Sequence, residues 1–163
     1  MNKMLIEDLI FGLEDLIRQG KSRITQLFGV AWVRNEAEAH NGIDIALPRR
    51  TILNAPEMLK TTRASYHYQD DIHSYGNRIS AMLLDTPDEV ELYLAHLDGI
   101  EIEKNELFFK GNFLARSGTS GSTVPDLAPH VHIGIRRTED GVYLEPRNYI
   151  DLSIFERVNP DGK

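Results

Sequence analysis

The sequence predicts a mainly β domain, an antiparallel β-sheet core with an N-terminal amphipathic helix, from three observations. Helical spacing of apolar residues is confined to 4–18. After Lys21 the chain divides into short β-rich runs separated by Gly, Pro, Asn and Asp, and many short strands with few helices imply antiparallel pairing. The 163 residues, 41% hydrophobic and 26% charged, suit one domain with a sizeable core. No repeat, low-complexity tract or linker interrupts them, so we read a single domain with its helix in 1–23, a core over 24–150 and a C-terminal tail at 151–163.

In the helix, Ile6, Leu9, Ile10, Leu13, Leu16 and Ile17 recur at three- and four-residue steps, with Glu7, Asp8, Glu14, Asp15 and Arg18 between them. This is the pattern of a helix that covers one side of a sheet, ended here by Gly20. Candidate strands follow at 24–28, 43–47, 78–84, 90–97, 114–117, 131–137 and 142–144. Strand alternation places Val90, Leu92, Leu94 and His96 on one face. It also puts His130, His132 and Gly134 on a shared face, with Val131, Ile133 and Ile135 turned to the core.

Eighteen Lys and Arg against twenty-five Asp and Glu leave a net charge of −7 with no basic stripe, which argues against nucleic acid or an anionic membrane surface as partner. There is no cysteine, so a bound metal would have to use His, Asp or Glu. Met1 to Ile6 begins like an export signal but meets Glu7 and Asp8 too early to be one. No apolar run is long enough to span a membrane.

The six histidines are the informative residues. His130-Val131-His132 aims two imidazoles from one strand in one direction, although an isolated His-x-His reads more readily as a pair of surface histidines on a half-exposed strand. His40 and Asp44 lie four apart across Asn41-Gly42-Ile43, where a fold at Gly42 can bring imidazole and carboxylate together or Asp44 can simply cap the strand. Two imidazoles and a carboxylate are a three-ligand zinc set with a fourth position left to water. His67 and His73, with Asp70 and Asp71 between them, read as a polar loop rather than a second metal site. Gly118-Thr119-Ser120-Gly121-Ser122 lacks the Lys of a nucleotide loop and reads as either a groove wall or a flexible hairpin.

Taken in order, Ile24 to Gly29, His40-Asn41-Gly42-Ile43-Asp44, Tyr75-Gly76-Asn77, Tyr93-Leu94-Ala95-His96-Leu97, Ser117 to Thr123, Pro129-His130-Val131-His132 and Leu144-Glu145-Pro146 resemble the successive signatures of the LytM or lysostaphin-type zinc metallopeptidases. The resemblance spans about residues 24–150. It implies that family's duplicated-hybrid-motif-like β fold, with 24–150 as catalytic core. It further implies one zinc per chain, with His40, Asp44 and His132 as metal ligands and His96 and His130 as catalytic histidines that do not bind metal. Asn77 and Tyr93 fall in the motifs as substrate-orienting candidates, with packing an equal reading for Tyr93.

The implied activity is endopeptidase cleavage of peptidoglycan stems or cross-bridges by metal-activated water, the two histidines acting as acid/base and oxyanion stabiliser. The expected partner is bacterial peptidoglycan peptide, met by a monomer, and the expected location is the periplasm, the cell wall or a phage particle. A non-catalytic activator or binding domain and a zinc peptidase for a protein substrate are the alternatives. Departures from the family pattern lie at 48–63, which lacks a Gly-x-Pro stretch and a short Gly-containing hairpin, and at Val124 to Ala128, which lengthens the approach to His130.

Overall fold

The β-branched run around Val131, Ile133 and Ile135 becomes an interior strand because both of its faces are covered. Those three residues are fully buried on one side, and His130 and His132 are buried on the other. The structure, a computed structural model, describes residues 2–32, 35–65, 75–121 and 128–158. In chain order the elements are β1 (Met4–Leu5), α1 (Ile6–Leu9), α2 (Leu13–Arg18), β2 (Ile24–Gln26), β3 (Ala31–Trp32), β4 (Asn35–Ala39), β5 (Ile43–Ala46), β6 (Ile52–Asn54) and β7 (Leu59–Ser65). They continue with β8 (Asn77–Leu83), β9 (Val90–Leu97), β10 (Leu107–Phe108), β11 (Phe113–Arg116), β12 (His130–Arg137), β13 (Tyr143–Leu144), β14 (Ile150–Asp151) and α3 (Ile154–Val158).

The main sheet runs β10-β7-β8-β9-β12-β5-β2, with β13 also paired to β12. Every one of these pairings is antiparallel. Two small antiparallel pairs, β11 with β6 and β3 with β4, and a parallel pair, β1 with β14, complete the architecture of the described residues. One apolar cluster joins the inward residues of the sheet, Ile43, Ile45, Leu92, Leu94, Val131, Ile133 and Ile135, to Leu53, Leu114, the N-terminal helices and the C-terminal segment. The opposite face of β5, β9 and β12 is thereby left for polar groups. Ile133→Ala, which empties a fully buried position, is expected to lower the unfolding free energy by about 2–5 kcal/mol, read from the urea midpoint at unchanged m.

The N-terminal helix is not continuous, which corrects the reading of 4–18 as one helix. Ile6, Leu9, Ile10, Leu13 and Ile17 are buried as the periodicity requires, but Ile10 is extended and bridges Leu53, and the Phe11 N–H donates to the Ile52 carbonyl at 3.0 Å. Gly12, at φ 73°, restarts the chain as α2. Pairing with β6 outweighs the local helical preference, a tertiary contact overriding propensity. Beyond residue 150, β14 pairs with β1 and α3 packs on α2, elements absent from the sequence reading. The expected strands at 24–28, 43–47, 78–84, 90–97, 114–117, 131–137 and 142–144 correspond to β2, β5, β8, β9, β11, β12 and β13 within a residue or two.

Candidate metal centre

Strand register builds the centre. His132 of β12 lies directly opposite Asp44 of β5, so their side chains leave the sheet on the same face, and His132 Nδ1 stands 2.8 Å from Asp44 Oδ1. His40 arrives from the β3–β4 hairpin, with its N–H donating to the Val30 carbonyl and its own carbonyl accepting from Gly29. The chain then turns at Asn41-Gly42, which places His40 Nε2 3.3 Å from Asp44 Oδ2 and 3.2 Å from His132 Nδ1. The turn needs glycine at 42. A Cβ there would meet the Ile133 carbonyl and stand 2.7 Å from His132 Nε2. Gly42→Ala is therefore expected to displace the His132 ring and weaken metal binding by at least tenfold, measured by competition with a chromophoric chelator.

The three donors fit a divalent ion. Two imidazole nitrogens and one carboxylate oxygen lie within 4.8 Å of one another. His40 Nε2 and His132 Nδ1 are 3.2 Å apart, and each meets its own carboxylate oxygen, Asp44 Oδ2 at 3.3 Å from His40 and Oδ1 at 2.8 Å from His132, so all three side chains converge closely enough for a small divalent ion of the kind that imidazole and carboxylate bind at about 2.0–2.2 Å. Burial alone would raise the Asp44 pKa, but hydrogen bonds with His132 and His40 outweigh it and hold the carboxylate well below its usual range. Burial pushes the His132 imidazole down, toward the neutral form that ligation requires.

His96 reaches the same face by an irregularity rather than by alternation. On β8, Leu97 opposes Asn77 and Leu94 opposes Ile79, so Ala95 and His96 together stand opposite the single residue Arg78. His96 adopts φ 59° at this bulge, and its N–H donates to the Tyr75 carbonyl at 2.7 Å. Bulges re-aim side chains in this way beside functional sites. The expectation that His96 shares a face with Val90, Leu92 and Leu94 is thus corrected: Leu92 and Leu94 enter the core cluster, whereas the His96 ring lies 4.9 Å from the His130 ring and 6.3 Å from that of His132.

Backbone carbonyls set the tautomers. His40, His96 and His130 direct Nδ1 at the carbonyls of Leu27, Ser120 and Ala128, at 3.0, 2.8 and 3.0 Å. A carbonyl only accepts, so each Nδ1 carries the ring hydrogen and each Nε2 presents a lone pair. Burial first, and His130 second, push His96 down to about 4. The Gly118–Gly121 segment acts here as the mount of His96. Ser120 Oγ donates to the Leu97 carbonyl at 2.5 Å and accepts the Asn77 N–H at 2.9 Å, while the Ser120 carbonyl takes the His96 hydrogen.

Asn77 is half-buried, with Nδ2 donating to the Asp98 carbonyl at 3.0 Å, and Tyr93 is 1% exposed beneath His132. Sequence reasoning missed Asn41 and Tyr75, whose side chains bond one another at 2.7 Å next to the trio; both stand inside quoted motifs, which was the available signal. His67, His73 and Val124 to Leu127 lie outside the described residues.

Comparison with known proteins bears on family and fold. The sequence profile of Peptidase family M23 matches residues 38–146, well over half of the chain. No curated protein matches it in sequence. Among solved structures, LytU is 25% identical with a TM-score of 0.63, the match covering 78% of this chain and 83% of that one. The catalytic domain of the antimicrobial peptidase lysostaphin from Staphylococcus simulans is 18% identical with a TM-score of 0.64, covering 83% of this chain and 96% of that one. A zinc containing peptidase from Vibrio cholerae is 21% identical with a TM-score of 0.61; the match covers 76% of this chain, which spans 35% of that longer protein. These last two likenesses are likenesses of fold.

Proposed function

Because the chain belongs to peptidase family M23, whose LytM and lysostaphin-type members its motifs resemble, we propose that it is a zinc-dependent endopeptidase acting on the peptide stems or cross-bridges of bacterial peptidoglycan. The reading is carried by one observation: a convergent His-Asp-His donor set with two further imidazoles beside it, each of which directs Nδ1 at a backbone carbonyl. His40, Asp44 and His132 would hold a divalent ion, and the chemistry it would supply when bound is a positive charge that polarises a carbonyl and lowers the pKa of water from 15.7 to about 7.

The remaining chemistry belongs to the chain. With Nδ1–H committed to a backbone carbonyl, His96 and His130 each offer Nε2 as proton acceptor and, once protonated, as donor. One takes the proton of the attacking water; the other hydrogen-bonds the developing oxyanion or protonates the leaving amine. Fixing each ring through a carbonyl keeps the accepting nitrogen aimed without a neighbouring carboxylate, a positioned acid–base arrangement of the kind that contributes about 10²–10⁴-fold.

The peptidoglycan assignment follows the lysostaphin-type resemblance, and it implies action outside the cytoplasmic membrane or from a phage particle. No helix of the described residues is long and apolar enough to cross a membrane. The filled set of five positions favours catalysis over a non-catalytic binding role, with residues 24–150 as the catalytic core and the chain acting as a monomer. Zinc-loaded protein incubated with sacculi is expected to release soluble muropeptides carrying new amino termini, identified by mass spectrometry. Failure to release fragments from murein of several cross-bridge types overturns the substrate, and failure to hold zinc overturns the reaction.

A further inference from the structure

His132 is held differently from the other imidazoles of the site. Its Nδ1 faces Asp44 and His40, and its Nε2 faces away from them, 2.7 Å from the Tyr93 hydroxyl. A neutral imidazole carries one hydrogen. Ligation through Nδ1 requires that hydrogen on Nε2, where Tyr93 must accept it. The Tyr93 hydroxyl can do so because it spends its own hydrogen on Asn41 Oδ1 at 2.8 Å, and Asn41 Nδ2 in turn donates to the Tyr75 hydroxyl at 2.7 Å.

The surroundings fix this chain of bonds in place. Tyr93 lies opposite Gly134 in the register, and a Cβ at 134 would penetrate the Tyr93 ring, so the strand leaves this space to the phenol. The Arg78 guanidinium lies 4.9 Å from the Tyr93 ring centre and 5.2 Å from that of Tyr75, while Tyr75 and Tyr93 pack edge to face at 5.6 Å. Asn41 follows His40 directly, so one turn carries both a ligand and a member of the relay.

Resting on the metal reading of the trio, we infer that Tyr93, Asn41 and Tyr75 form a hydrogen-bonded relay that holds His132 in its Nε2–H tautomer with Nδ1 aimed at the ion. Tyr93 is thus a positioning residue for the metal rather than a substrate contact. Groups that orient ligating histidines in this manner are worth about 10–100-fold in metal affinity.

The test is zinc(II) affinity of the full chain, measured by competition with a chromophoric chelator alongside the thermal midpoint of the zinc-free protein. Tyr93→Phe, which keeps the ring and removes the acceptor, is expected to bind zinc about 10–100-fold more weakly with the midpoint of the zinc-free protein unchanged. Asn41→Ala weakens zinc in the same direction, and adding it to Tyr93→Phe causes no further loss, because Asn41 acts through the phenol. Asn41→Asp, which keeps an oxygen toward Tyr93, binds at least as tightly as the wild type. In the zinc-loaded wild type, long-range proton–nitrogen correlation assigns the His132 hydrogen to Nε2.

Wild-type affinity in Tyr93→Phe, a loss that only follows a fall in the zinc-free midpoint, or a hydrogen on Nδ1 overturns the relay. Should Tyr93→Phe fail to fold, the contrast between Asn41→Ala and Asn41→Asp decides, equal losses overturning it. A wild type that binds no zinc overturns the underlying metal reading instead, an outcome distinct from the others.

Discussion

Asp44→Asn is expected to reduce zinc from one per chain to an amount that dialysis removes, with turnover falling together with the metal. The carboxylate is the trio's one anionic donor, and hydrogen bonds with the two imidazoles hold its pKa well below the usual carboxylate range, so it is ionised near neutral pH. Sites of this kind bind zinc with about 10–16 kcal/mol in the best-studied structural cases, and losing one of three ligands removes roughly a quarter to a third of that, on the order of 10³-fold in affinity. The fold should survive, because Asn retains the shape of Asp and the backbone of β5 keeps its register with β12 and β2. Metal analysis by inductively coupled plasma mass spectrometry and circular dichroism on the same sample separate the two effects. Stoichiometric zinc retained in both Asp44→Asn and His40→Ala would remove these residues from the ligand set.

His96→Ala and His130→Ala are expected to do the converse, leaving one zinc per chain while turnover falls by about 10²–10⁴. Neither ring belongs to the group whose donor atoms lie within 4.8 Å of one another, and each is anchored independently of the trio, one by Ser120 and the other by Ala128. Two groups that act in one proton transfer sequence are not additive. The double variant should therefore be little slower than the worse single variant. Rates on isolated murein with zinc content measured in parallel check this, and unchanged turnover in either single variant would remove that histidine from the mechanism.

What could be read from the sequence divides along physical lines. The spacing of His40 and Asp44 around Gly42 and the alternation through His130 and His132 are local properties of a turn and a strand, and local properties are what a sequence displays. The side of the sheet that His96 occupies is not local. It depends on one extra residue in β9 relative to β8 and on a backbone angle of 59°, neither of which leaves a mark in an alternating pattern. The break between α1 and α2 was hidden for the same reason, since Ile10 satisfies helical periodicity until β6 offers partners to it and to the Phe11 N–H. Strand β4, Asn-Glu-Ala-Glu-Ala, is made of weak β formers, and β7, Leu-Lys-Thr-Thr-Arg-Ala-Ser, has only its two threonines as strong ones, so both owe their state largely to the neighbours they pair with. Asn41 and Tyr75 stood in view as motif residues, but their bond to each other spans distant parts of the chain.

The parallel pairing of β1 with β14 also constrains how the protein is made. During translation Met4 and Leu5 leave the ribosome about 145 residues ahead of Ile150 and Asp151, so Met4, Ile6 and Leu9 travel through that interval without part of their final cover. Closing a loop of about 145 residues carries one of the largest entropic costs in this topology. The nascent chain thus exposes a sticky segment until its partner strand arrives, which marks the interval in which chaperones have most to protect.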